Sequence, residues 1–471
     1  MKRRGILLSG KAETRKHMVP IKIHGVSNVA ILRELIDEFI SPAEYEIIED
    51  DGFFYDDCLH INARLKSDKD AIKREIFNAL NTLTGVRPDW GILTGVRPVK
   101  LAGELIESLN SREAAQRTLR GRYMLTEEKA KLITDTYGRQ NSVYGKPKED
   151  SVGIYIGIPF CPTRCLYCSF TSNQADPEEI EAYLEALKKE IGYVAEKLKV
   201  NGQHPETLYF GGGTPTTLST DQLKRVLDEL KASFDFCTLR EFTVEAGRPD
   251  TIDEEKLDVL QYFGVDRISI NPQSMKEETL KIIGRGHSPE DIRRAFKIAG
   301  QRNFKVINAD LIAGLPGETR ADFLKTLEEV VDLGANNVTI HTLSVKRGSG
   351  LKNVDENYHY TVADVVSDML AGSREILTAG GFVPYYLYRQ KHMAGFFENT
   401  GYCLGETDGL YNIRIMDEHQ TVIALGAGGI SKRYYPETDR LVRIPNVSNY
   451  REYINRIDEM CDRKEKKLWS I

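Results

Sequence analysis

The stretch Gly153–Thr171 reads GIYIGIPFCPTRCLYCSFT. A short apolar, β-branched run ends at Pro159 and gives way to a loop holding Cys161, Cys165 and Cys168. Three thiols this close together, and odd in number, do not suit a disulfide framework, and a tetrahedral structural zinc needs a fourth ligand nearby. Iron–sulfur clusters are held by cysteine thiolates, and a four-iron cluster bound by only three of them keeps one iron open to a further ligand. The chemistry is expected at that open iron. The competing reading, three cysteines packed as small hydrophobes or as part of a zinc site, fits this spacing poorly.

From Val152 onward the chain is regular. Strand-like runs recur at Val152–Ile158, Thr207–Phe210, Glu241–Glu245, Asp266–Asn271, Lys305–Ile312 and Asn337–Thr342, with helical stretches between them. The first of these helices is the clearest. Ile180, Tyr183, Leu184, Leu187, Ile191, Val194 and Leu198 fall at i+3 and i+4 steps behind the start signal Asp176-Pro177. Six βα units imply a parallel sheet, either closed towards a barrel or open and doubly wound, and in both cases ligands collect at the C-terminal ends of the strands.

On either side the pattern changes. Residues 1–147 mix strand-like runs (Val19–Ile23, Tyr45–Ile48, Leu59–Ala63) with helix-like ones (Val29–Phe39, Lys69–Leu83), the signature of a small two-layer α/β unit. Met18 directly precedes its first strand-like run and offers an alternative start. A tandem echo, Leu83-Thr-Gly-Val-Arg-Pro88 and Leu93-Thr-Gly-Val-Arg-Pro98, reads either as a rigid loop presenting a guanidinium to a carboxylate or phosphate, or as a turn with solvated arginines. The polar segment Gly138–Asp150 is expected to be a linker. After about Val345 the βα rhythm weakens into a helix at Val362–Thr378, the aromatic run Val383–Tyr388, a basic string and the glycine-rich Gly426–Gly429. A smaller C-terminal α/β domain over 346–471 is expected, with 148–345 as the central domain.

The 471 residues, 41% of them hydrophobic, suffice for two or three cores, and a net charge of -6 gives no bulk electrostatic reason to expect nucleic acid as a partner. No run approaches the roughly 20 apolar residues of a membrane span, and the basic N-terminus is followed by too short an apolar run for a signal peptide. Cys58, Cys237, Cys403 and Cys461 stand singly, as thiols do in a reducing cytosol, so a cytoplasmic location is expected.

The ends of the six strands carry a consistent set of polar and glycine residues: Gly211-Gly-Gly-Thr-Pro215, Glu245, Gln273, Asp310 and, on the connection between strands four and five, Arg285 in Gly284-Arg-Gly-His287. Glycines let backbone approach a ligand, and buried charges need partners.

The spacing C-x3-C-x2-C resembles the signature of the radical S-adenosylmethionine (SAM) enzymes. Tyr155, Pro159-Phe160-Cys161, Gly211–Pro215, Glu245, Gln273, Gly284–His287 and Asn308-Ala-Asp310-Leu-Ile312-Ala-Gly-Leu-Pro316 together resemble the oxygen-independent coproporphyrinogen III dehydrogenase family of radical SAM proteins. Tyr386–Lys391, Glu398-Asn399, Ala424–Lys432 and the N-terminal extension are most similar to its branch called HemZ.

The resemblance implies a partial (β/α)6 TIM-like barrel with an N-terminal α/β domain and a C-terminal α/β cap. It implies a [4Fe–4S] cluster on Cys161, Cys165 and Cys168, and SAM as the ligand of the open iron. It also implies that Tyr155 packs beside the cluster, that Gly212, Gly213 and Thr214 contact the methionine end of SAM, and that Glu245, Gln273, Arg285, Asp310 and Ile312 hold its other parts or a second SAM. The activity implied is one-electron cleavage of SAM followed by hydrogen abstraction, with decarboxylation of two propionates of coproporphyrinogen III to vinyls. A low-potential electron donor such as flavodoxin or ferredoxin is the implied protein partner.

Two positions depart from the namesake pattern, Phe170 for a cysteine and Gly157 for a histidine. Phenylalanine at that place is also found in relatives that carry haem, so haem binding and trafficking, or haem methylation or degradation, are alternative functions. Candidate axial ligands are His287, His341 and His392. A substrate with propionates calls for cations, and Arg389 or Lys391, beside Tyr385–Tyr388, is the expected pair of candidates.

Overall fold

The computed structural model describes residues 18–26, 29, 32–63, 68–170, 172–346, 348–355, 358–390 and 393–469. Thr171, Lys391 and His392 lie outside these. The chain divides into two compact units, one comprising Met1–Thr94 with Gln116–Ala130 and the other Gly95–Ala115 with Lys131–Ile471.

In the first unit, strands β1 (Val19–His24), β2 (Tyr45–Ile48) and β3 (Leu59–Asn62) form a parallel sheet in the order β2-β1-β3. The helix Lys69–Thr84, capped by the Asp68 side chain, lays Ile76, Phe77 and Leu80 in the core with Ile21, Ile23, Leu35 and Ile61. These are the runs whose apolar spacing is regular in the sequence.

The second unit is built on one eleven-stranded sheet. Its centre is the six parallel strands β4 (Ser151–Ile158), β5 (His204–Gly212), β6 (Glu241–Gly247), β7 (Arg267–Gln273), β8 (Val306–Ala313) and β9 (Asn337–Thr342). Helical crossovers join them, giving the partial (β/α)6 barrel. Each strand is buried on its helix-facing side, as parallel strands covered by helices are. Tyr183, Leu184, Leu187, Ile191, Val194 and Leu198 of the helix Pro177–Val200 are buried, the stripe its spacing predicts.

The C-terminal segment adds strands to both edges of this sheet. β10 (Phe382–Arg389) and β11 (Glu398–Leu404) extend it beyond β9 in antiparallel fashion. β12 (Val422–Leu425) pairs in parallel with β4, and the hairpin of β13 (Ile430–Tyr435) and β14 (Arg440–Pro445) follows outside it.

The expected linker at 138–150 is a correction: the helix Glu127–Val143 continues through Gly138. Its polar residues are engaged. Arg139 makes a bidentate pair with Asp408, and Gln140 donates to the Tyr385 carbonyl at 2.9 Å, so tertiary contacts hold a helix that composition alone reads as linker. Arg97 of the tandem echo does find a carboxylate, that of Glu418 at 2.7 Å. Among the described residues no helix is long and apolar enough to cross a membrane.

Candidate functional site

The cysteine loop is fastened from several directions. The Gly213 N–H donates to the Ile158 carbonyl (2.7 Å) and the Thr214 N–H to that of Phe160 (2.9 Å), which ties the exit of β4 to the glycine turn after β5. The Cys161 N–H donates to the Asn173 carbonyl (3.0 Å), and the Asn173 N–H to that of Pro159 (2.8 Å). Further along, the Leu166 N–H donates to the Ile283 carbonyl (2.9 Å), Arg164 donates to the Gly348 carbonyl (2.6 Å), and Arg248 donates to the Thr163 hydroxyl (2.5 Å).

The three glycines of the turn are required by this closeness. A Cβ on Gly213 would lie 2.6 Å from the Phe160 carbonyl oxygen and 3.0 Å from the Cys161 sulfur, and one on Gly211 would lie 2.9 Å from the Glu245 carboxyl carbon. Gly212 takes φ +115, beside the Ile158 backbone.

Cys165 is buried, and Cys161 and Cys168 are half-buried. Burial pushes the Cys161 thiol up to about 11, and the other two thiols push in the same direction. Among the described residues no three side chains converge tightly enough for a single metal ion. A four-iron cluster does not ask for that, since each thiolate binds its own iron.

Below the loop, the inward side chains of the barrel form one polar face. Tyr155 and Tyr209 are paired in register on β4 and β5 with their rings 6.1 Å apart, and Tyr411 stacks on Tyr209 at 4.4 Å. The Tyr209 hydroxyl donates to Glu245 at 2.6 Å. Burial pushes Glu245 up to about 7, with the charge of Asp310 adding to the effect and the Tyr209 hydrogen bond opposing it. Burial also raises Asp310, but hydrogen bonds from His341, Asn308 and Thr339 outweigh it and hold the carboxyl below its ordinary value. His341 Nε2 lies 3.6 Å from Asp310.

Gln273 is buried at φ +66, and its Oε1 has no hydrogen-bond partner. Arg285 donates to the Asn271 carbonyl (2.7 Å) and the Tyr167 hydroxyl (2.9 Å), leaving its Nε unpartnered. Ile312 is buried on β8, in register with His341.

Arg389, His287 and Phe170 are placed as follows. Arg389 is 6% exposed and donates from Nε (3.2 Å) and Nη2 (2.8 Å) to the Phe396 carbonyl, so its guanidinium is buried and engaged by backbone. His287 is buried 3.4 Å from Asp250, which Arg248 also holds, and so is enclosed rather than poised as an axial ligand. Phe170 is 67% exposed, and with Gly157, Tyr155, Gly212, Tyr411 and the 427–430 turn it lines a cavity of about 220 Å³.

Sequence reasoning missed Tyr209, Tyr411, Tyr167 and Arg248. Tyr209 was within reach, because it stands two residues before Gly211 and strand alternation puts both on one face. Tyr411 and Arg248 had no such signal.

Residues 155–330 match the Radical SAM superfamily. The chain is 40% identical over 424 residues to the oxygen-independent coproporphyrinogen-III oxidase-like protein HemZ of Bacillus subtilis (strain 168), covering 89% of this chain and 84% of that protein. It is 37% identical over 197 residues to the heme chaperone HemW of the same organism, covering 41% and 50%. Among solved structures, coproporphyrinogen III oxidase (HemN) from Escherichia coli matches with a TM-score of 0.52 at 21% identity, covering 69% and 73%, a likeness of fold.

A radical SAM domain implies a [4Fe–4S] cluster and SAM. The residues present fit both. Three mutually close thiols stand on a fastened loop, glycines leave backbone open beside them, and Gln273 Oε1 and Arg285 Nε are unspent.

Proposed function

This chain belongs to the oxygen-independent coproporphyrinogen-III oxidase-like family of radical SAM proteins, and on that premise we propose that it converts coproporphyrinogen III to protoporphyrinogen IX. The observation that carries the reading is the single inward face on which the cysteine loop, the glycine turn and the polar row of Glu245, Asp310 and His341 come together.

In this reading Cys161, Cys165 and Cys168 hold the cluster, and Gly212, Gly213, Thr214, Glu245, Gln273, Arg285, Asp310 and Ile312 hold SAM. When bound, the cluster and SAM supply the one-electron chemistry that removes a hydrogen atom from substrate. The carboxylates of Glu245 and Asp310 accept hydrogen bonds from hydroxyl and ammonium groups, Gln273 Oε1 accepts another, and Arg285 Nε donates one. Tyr155, Tyr209 and Tyr411, stacked on one another, give that face an aromatic wall. Loss of one hydrogen atom and one electron turns each propionate into a vinyl group and CO2, the electron passing to an acceptor.

Anaerobic reconstitution with SAM, reduced flavodoxin, coproporphyrinogen III and a one-electron acceptor is expected to yield protoporphyrinogen IX by mass spectrometry. Formation of 5′-deoxyadenosine with the tetrapyrrole unchanged would overturn the proposal.

A second reading, haem carriage, is favoured by the similarity to HemW and by the exposed ring of Phe170. Stoichiometric haem binding without any consumption of SAM would select it.

A further inference from the structure

Of the arginines tied to the cysteine loop, Arg164 is engaged by the Gly348 carbonyl and Arg248 by Asp250 and Thr163, while Arg285 uses both Nη groups on Asn271 and Tyr167 and has its remaining Nε assigned to SAM above. Lys346 is different. It is half-buried, its Nζ lies 5.8 Å from the centroid of the Phe170 ring, and it pairs with no carboxylate among the described residues.

Its position is fixed through the backbone. The Leu351 N–H donates to the Leu166 carbonyl (2.9 Å), Arg164 reaches Gly348, and added Cβ atoms on Gly348 and Gly350 would meet Ser169 and Leu166 at 3.4 Å and 3.1 Å. The segment carrying Lys346 is therefore packed directly on the cysteine loop. Lys346 is drawn partly out of water, the Cys168 sulfur is the negative group that acts on it, and no carboxylate does; an anionic ligand would offset the desolvation that remains.

The residues that line the neighbouring cavity are uncharged. Phe170 lines the 220 Å³ cavity, as do Tyr155, Tyr411, Gly428, Gly429 and Ile430 among others. Phe170 and Ile430 are both large apolar residues left exposed, at 67% and 48%. A strongly exposed aromatic ring with a cation over it offers a face for a planar ring system and a charge for its acidic substituent.

We propose that Phe170 and Lys346 form the recognition site for the tetrapyrrole, Phe170 stacking on the macrocycle and Lys346 binding one of its carboxylates. This rests on the tetrapyrrole reading above and places the carboxylate at Lys346 rather than at the buried Arg389.

The test compares protoporphyrin IX with its dimethyl ester, titrated by fluorescence against the cluster-loaded protein. The wild type is expected to prefer the free acid. Lys346→Ala is expected to weaken acid binding roughly tenfold and leave the ester unchanged, as loss of one charge-assisted hydrogen bond does, with Lys346→Arg restoring most of the preference. Phe170→Ala is expected to weaken both ligands equally.

An acid-to-ester ratio unchanged in Lys346→Ala overturns the proposal. So does a loss confined to SAM affinity, measured by equilibrium dialysis, which would give the carboxylate to SAM instead. A shift of the cluster's midpoint potential with unchanged porphyrin binding overturns it as well, making Lys346 a counter-charge for the cluster. Retention of the cluster absorbance certifies that each variant is folded. If the wild type binds neither porphyrin, it is the tetrapyrrole reading itself that fails.

Discussion

Glu245 sits where a carboxylate is costly, and that cost has a measurable sign. Its folded value of about 7 lies above the ordinary 4.5, so between those two pH values the native protein keeps a proton that the unfolded chain has lost. Stability of the protein without cofactor therefore falls as pH rises through that window. Glu318, pushed by burial to about 7 beside Ser274, adds a slope of the same sign. Urea midpoints measured from pH 5 to 7.5 are expected to decline, and Glu245→Gln is expected to remove part of the decline; an unchanged slope in that variant would assign all of it to Glu318. At the glycine turn, Gly213→Ala drives a methyl into the Phe160 carbonyl and the Cys161 sulfur, and is expected to abolish retention of the cluster, read as loss of its visible absorbance after desalting. Arg389→Ala leaves the buried Phe396 carbonyl without its donor and is expected to cost about 1–3 kcal/mol of stability in denaturant titration while leaving porphyrin affinity unchanged.

Among the elements, the helix Pro177–Val200 carries both what the sequence made plain and what it hid. Its apolar stripe was legible because period 3.6 is a local property of the chain. Glu190, on the same buried side, was not. Its carboxylate accepts from Lys464 (2.6 Å), Asn446 (2.9 Å), the Tyr453 hydroxyl (2.6 Å) and the Gly426 N–H (2.7 Å), and both Glu190 and Lys464 are fully buried. No window of sequence brings Glu190 and Lys464 together, and a lone charge on an apolar face gives no hint of its partner. Breaking one side of such a pair leaves the other charge buried, so Lys464→Met is expected to destabilise by about 3–5 kcal/mol, by denaturant titration. Because Glu190 holds the Gly426 N–H, and Tyr183 holds the Ala427 N–H and the Gly157 carbonyl, the same variant is expected to loosen the turn that walls the 220 Å³ cavity.

For the whole molecule, the six parallel strands and the site at their C-terminal ends could be read from alternation, turn residues and the cysteine spacing. The placement of β10–β14 could not, since alternation says that a segment is a strand but not which edge receives it. The burial of Arg389 and His287 escaped for the same reason: both depend on partners supplied by the fold. Gly153 of β4 pairs with Val422 of β12, so the strand that leads into the cysteine loop gains its outer neighbour only near the end of the chain. A protein ending at Asp417 exposes that edge and is expected to self-associate through it, seen as a shift to larger species in size-exclusion chromatography. The same pairing joins residues far apart in the chain, so the edge of the strand that leads into the cysteine loop is closed by a non-local contact, the kind whose loop-closure entropy makes it slow to form.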